Sequence, residues 1–95
     1  MMDVRKPTDR QTIAVLRHVG AALGTTSAYV HRGQFHFRLD ARWSLAISPE
    51  DAGRFRVAVF RDGRERAILW CLAGDLDRIA DLALAAQAEV LALTA

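Results

Sequence analysis

Two hydrophobic periods divide the chain. Near its start, apolar residues recur every three to four positions at Ile13, Leu16, Val19, Gly20 and Leu23, with Arg10, Arg17 and His18 opposite. That spacing predicts an amphipathic helix. Thr8 followed by Gln11 reads as a capping box, and Gly24 suits the left-handed C-terminal cap, so the helix is expected over residues 9–23. The seven residues before it are polar and are expected to form a flexible N-terminus.

From Thr25 to Ala73 the period falls to two, which predicts strands. Asp62-Gly63 is a strong hairpin turn signal. A two-residue loop there pairs Arg61 with Arg64. Counting outward places Val59 opposite Arg66, Val57 opposite Ile68 and Phe55 opposite Trp70 on one side. On the other side Phe60 meets Glu65, Ala58 meets Ala67, Arg56 meets Leu69 and Arg54 meets Cys71.

Upstream, Phe35, Phe37 and Leu39 alternate with polar residues, as do Trp43, Leu45 and Ile47. Both sets face one core only if an odd loop joins them. Asp40-Ala41-Arg42 supplies it and sets Leu39 against Trp43, although such a loop would favour glycine near Arg42. A turn at Arg32-Gly33 pairs Val30 with Phe35 and Ala28 with Phe37, giving a first strand over residues 25–31. Residues 49–53 are expected to be a loop.

The last stretch predicts a helix entered at Gly74-Asp75 and running to about Leu93. Its polar arc (Asp77, Arg78, Asp81, Ala85, Ala88, Glu89) is narrow, and the apolar arc covers more than half the circumference. A helix of this length spans ~28 Å, against ~20 Å for a six-residue strand. Some of its apolar surface is expected to overhang the sheet.

These elements make a single α+β domain over residues 8–95, ordered α-β-β-β-β-β-α: a five-stranded antiparallel meander with two helices packed on one face. The expected core face holds Val30, Phe35, Phe37, Leu39, Trp43, Leu45, Ile47, Phe55, Val57, Val59, Ile68 and Trp70.

Composition narrows the function without naming it. The chain has 95 residues and one cysteine, Cys71, so no intrachain disulfide can form. With no signal-like or membrane-length apolar run, a cytoplasmic protein is expected. The net charge of +2 is too small to argue for nucleic acid by itself. Arginine is concentrated in residues 25–66, but twelve Arg against one Lys, beside seventeen Ala, has the look of a GC-rich genome rather than of selection for phosphate.

The chemistry-bearing residues do not assemble into a motif. His18, His31 and His36 are too few and too scattered for a zinc site, so no metal or cofactor is expected. His36 and Ser44 can approach each other across a hairpin, but no aspartate is placed to orient the imidazole and no catalytic residue is assigned. The six glycines serve turns, caps and loops rather than a phosphate loop.

The outer face of the sheet remains. It is expected to carry Tyr29, His31, His36, Arg38, Ser44, Ala46, Arg54, Arg56, Ala58, Phe60, Ala67 and Leu69, with Glu65 the one acid. A mixed aromatic, aliphatic and arginine surface with no element left to cover it suggests an interaction site. The expected contacts are Tyr29, His36, Arg38, Arg54, Arg56, Phe60 and Leu69. The reading is a non-enzymatic protein-binding module (adaptor, chaperone-like or inhibitor), homodimeric. The alternatives are a nucleic-acid-binding domain, with the arginines on phosphates and the aromatic rings stacking on bases, and a small enzyme with a His/Ser site.

Overall fold

The computed structural model describes residues 8–25, 28–51, 53–73 and 75–94, and the side chains of residues 70–73 and 94 lie outside that description. The expected flexible N-terminus lies outside it as well. The elements are α1 (Asp9–Leu23), β1 (Tyr29–His31), β2 (Gln34–Arg38), β3 (Trp43–Pro49), β4 (Arg54–Arg61), β5 (Arg64–Ala73) and α2 (Leu76–Thr94). The strands form one open antiparallel sheet in the order β1-β2-β3-β4-β5.

Local chemistry sets the boundaries. The Thr8 hydroxyl accepts the Gln11 N–H while the Gln11 side chain accepts the Thr8 N–H, closing the capping box of α1. Gly24 ends the helix at φ 74°. The Asp75 carboxylate accepts the Arg78 N–H and caps α2. In both hairpin turns the two central residues have positive φ, at Arg32-Gly33 and at Asp62-Gly63, as a type I′ turn requires.

The three-residue loop closes without glycine because Asp40 Oδ1 accepts the N–H groups of Arg42 and Trp43, at 2.8 and 2.9 Å. Leu39 then lies opposite Trp43, bonded N–H to carbonyl at 2.9 Å. The Asp62 N–H donates to the Arg42 carbonyl, and the Arg42 guanidinium meets the Asp62 carboxylate, tying this loop to the β4–β5 turn.

The main core lies between the sheet and the helices. Phe37, Leu39, Leu45, Ile47, Phe55, Val57 and Val59 meet Val15 and Val19 of α1 and Ile79, Ala83, Ala86 and Val90 of α2. The helices also touch each other, with His18 Nε2 of α1 lying 3.2 Å from Asp77 Oδ1 of α2. Leu84, Leu91 and Leu93 of α2 remain exposed, at 42%, 54% and 71%, in keeping with the wide apolar arc.

Three features depart from the sequence expectation. Pro49 belongs to β3, opposite Phe55, rather than to the following loop. The expected first strand is shorter, with Ala28 outside it and Thr25 donating its N–H to the Gly20 carbonyl at the end of α1; residues 26 and 27 lie outside the described part, and Val30 is 65% exposed on the three-residue edge strand instead of joining the core.

The third departure is the β4–β5 register. Arg61 meets Arg64 and Phe60 meets Glu65 as the turn dictates, but the register then shifts twice. Val59 lies opposite Ala67, Ala58 opposite Ile68, Val57 opposite Trp70, Arg56 opposite Cys71, Phe55 opposite Leu72 and Arg54 opposite Ala73. Arg66 and Leu69 are the inserted residues, and each bulge reverses the alternation of the strand. Ile68, expected in the core, is therefore 58% exposed, while Leu69, expected on the outer face, packs against the main core.

Candidate interaction face

Cross-strand pairing lays out the sheet face opposite the main core. One row runs across all five strands as Tyr29, His36, Ala46, Ala58 and Ile68. The next runs as Arg38, Ser44, Phe60 and Glu65. Ala46, Ala58 and Phe60 make a second buried apolar cluster, separate from the main core.

His36 is the centre of this face. Its ring is 2% exposed. Tyr29 stacks on it at 5.2 Å between centroids, and Phe60 and His31 meet it edge-on at 4.9 and 5.8 Å. Nδ1 is hydrogen-bonded to Ser44 Oγ at 3.0 Å, whereas Nε2 is buried and has no hydrogen-bond partner among the described residues. Burial, and secondarily the charge of a protonated His31, push the His36 pKa below the ordinary 6.5. At neutral pH the ring is uncharged.

The arginines differ among themselves. Arg56 is half-buried and ion-paired to Glu65, so its charge is offset within the chain. Arg38 and Arg54 stay exposed and use one side-chain nitrogen each on a local carbonyl, of Ala41 and Asp51. They carry the accessible positive charge of the face.

Of the seven expected contact residues, Tyr29, Arg38 and Arg54 are accessible and Arg56 partly so. His36 and Phe60 are on the expected face but buried, because the neighbouring rings cover one another. Leu69 points to the other side, and the second bulge is the reason. Ile68 takes its place as the exposed apolar residue at the β5 end of the central row. Simple alternation carried no sign of that exchange.

The Ser44–His36 contact forms, but its surroundings are not those of an activated nucleophile. Nε2 has no carboxylate on it to orient the ring or to stabilise its charged form. Ser44 borders a shallow polar hollow of about 170 Å³ shared with Tyr29, Arg38, Asp40 and Arg42. Among the described residues, no group of three or more His, Cys, Asp or Glu is placed to hold a metal ion. Nor is any helix among them long and apolar enough to cross a membrane. In comparisons with known proteins, no family model matches the chain, and no curated protein or solved structure is detectably similar to it.

Proposed function

We propose that this chain is a non-enzymatic protein-binding module of the cytoplasm, an adaptor, chaperone-like factor or inhibitor that works as a homodimer. The partner face is the accessible part of the outer sheet: Tyr29, Arg38, Arg54 and Ile68 around the half-buried Arg56. One observation carries the reading. The sheet has a buried apolar cluster on each face, yet both helices contribute to only one of them. The rings of Tyr29, His36 and Phe60 shield the second cluster, and the accessible aromatic, aliphatic and arginine side chains at its rim are the surface left for a partner. The exposed rim combines an aromatic ring, an aliphatic side chain and arginines, the residue types enriched where proteins meet.

The test is retention of partners from the native host on the immobilised chain, compared with Tyr29→Ala and Arg38→Glu/Arg54→Glu variants. A protein kept by the parent, lost from both variants and resistant to nuclease supports the reading. Equal retention on all three overturns the choice of face. Retention that disappears with nuclease, together with affinity falling steeply as salt rises, would replace the protein partner with nucleic acid.

A further inference from the structure

The two edges of the sheet are unequal. β1 has three residues and β5 has ten, the longest strand of the five. The outward edge of β5 offers backbone N–H and C=O groups along a span of roughly 33 Å. Such an edge is a template for another strand unless it is blunted. Its charges are confined to Arg64, Glu65 and Arg66 at the hairpin end, and residues 67–73 contain neither a charged residue nor proline. Ile68, near the middle, is 58% exposed and continues the apolar row of the outer face.

We propose that the homodimer inferred above forms through this edge. The β5 strands of two copies pair antiparallel about a two-fold axis beside Ile68, making one ten-stranded sheet. The inference rests on the dimeric part of the binding-module reading and gives it an interface.

Three arguments select this occupant and this direction. Antiparallel pairing keeps the like charges of the two strands apart. About Ile68, the charged residues 64–66 of one copy lie against the uncharged end of β5 in the other, whereas parallel alignment sets each arginine beside its own duplicate. The axis also brings the two exposed Ile68 side chains together as direct cross-strand neighbours, covering their facing sides while adding backbone hydrogen bonds along the stretches of β5 between its bulges. Finally, the pairing is isologous and closes on itself, and the three-residue β1 edge left at each end is too short to propagate it. The bulges at Arg66 and Leu69 add right-handed twist, so the two sheets should join at a steeper angle than neighbouring strands within either one.

The experiment uses the full chain. Light scattering after size exclusion should give twice the 10.5 kDa of one chain. Ile68→Cys in a Cys71→Ser background should form a disulfide-linked dimer under mild oxidation, because antiparallel neighbours bring Cα atoms within disulfide reach. Arg54→Cys in the same background, lying on β4 rather than on the edge, should not. Ile68→Asp should run as a monomer with an unchanged far-ultraviolet circular dichroism spectrum. A parent that stays monomeric at every concentration overturns both the interface and the dimer, and leaves partner binding by the sheet face to its own test. A dimeric parent whose Ile68→Cys variant does not cross-link, or whose Ile68→Asp variant remains dimeric, overturns the β5 interface alone.

Discussion

Replacing Ser44 with alanine takes away the one hydrogen bond of a nearly inaccessible imidazole. His36 is 2% exposed, its Nδ1 bonds Ser44 Oγ at 3.0 Å, and its Nε2 has no partner among the described residues. The variant leaves both ring nitrogens buried and unpaired, a loss of about 1–3 kcal/mol. In a domain of this length each kcal/mol lowers Tm by roughly 4–8 °C. His36→Phe should be milder, because the abandoned hydroxyl borders an open hollow where water can reach it. The double variant His36→Phe/Ser44→Ala removes both polar partners at similar ring volume and should come within about 1 kcal/mol of the parent. The three variants therefore form a strongly non-additive cycle.

The same residue gives a pH signature. The folded pKa of His36 lies below the 6.5 of the unfolded chain, so on acidification the unfolded chain takes up the proton first. This contribution to stability is complete above pH 6.5 and is lost as pH falls below it, by at most about 1.4 kcal/mol per pH unit, until the folded ring protonates as well. The assay is urea unfolding followed by tryptophan fluorescence, from about pH 8 to about pH 5. Parent minus double variant should isolate the His36 component. A Ser44→Ala protein as stable as the parent, or a double variant with the parent's full acid loss, would refute this account of the ring.

Further outcomes are read by thermal or urea unfolding. Gly20→Ala should destabilise by roughly 1–3 kcal/mol, because a Cβ there would sit 2.6 Å from the Thr25 carbonyl oxygen, a backbone atom that cannot easily retreat. Asp40→Ala should cost about 1–2 kcal/mol by releasing the two N–H groups that close the β2–β3 loop. Leu69→Ala should cost about 1–2 kcal/mol as a partly buried core contact, and a neutral result would contradict the inward orientation of this bulge residue. The exposed Arg42–Asp62 pair, taken through a double-mutant cycle, should couple by less than about 1 kcal/mol.

The legible parts of the fold were those written in local chemistry. Thr8 with Gln11, Gly24, Asp75 and the two turns ending in Gly33 and Gly63 each announce a backbone conformation within a few residues, and element order follows from them. The pairing of β2 with β3 was legible because one parity rule links two apolar alternations. The β4–β5 pairing failed beyond Phe60 for a physical reason. The first bulge left a sign, since straight counting put Arg66 opposite the core residue Val59, but Ala67, Ile68 and Leu69 are all apolar, so the second insertion has no polar–apolar contrast by which it could be seen. Tertiary packing chose which of Ile68 and Leu69 turned inward. The site suffered the same limit: alternation placed His36 and Phe60 on the correct face, but burial depends on how Tyr29, His36 and Phe60 stack, which a count along one strand does not contain.

The two helices stand at opposite ends of the described chain, and each supplies part of the same core. During synthesis the whole meander emerges before α2 does. Its hairpins join strands that are neighbours in sequence and can zip as soon as they clear the ribosome, but Phe37, Leu45, Ile47, Phe55 and Val57 then still lack the Ile79, Ala83, Ala86 and Val90 side of their packing. The nascent protein thus passes through a stage with the α2 side of its core face uncovered, when it is most open to aggregation and proteolysis. A premature stop anywhere before α2 would prolong that stage indefinitely, so truncated products should be cleared by proteases rather than accumulate as a folded sheet.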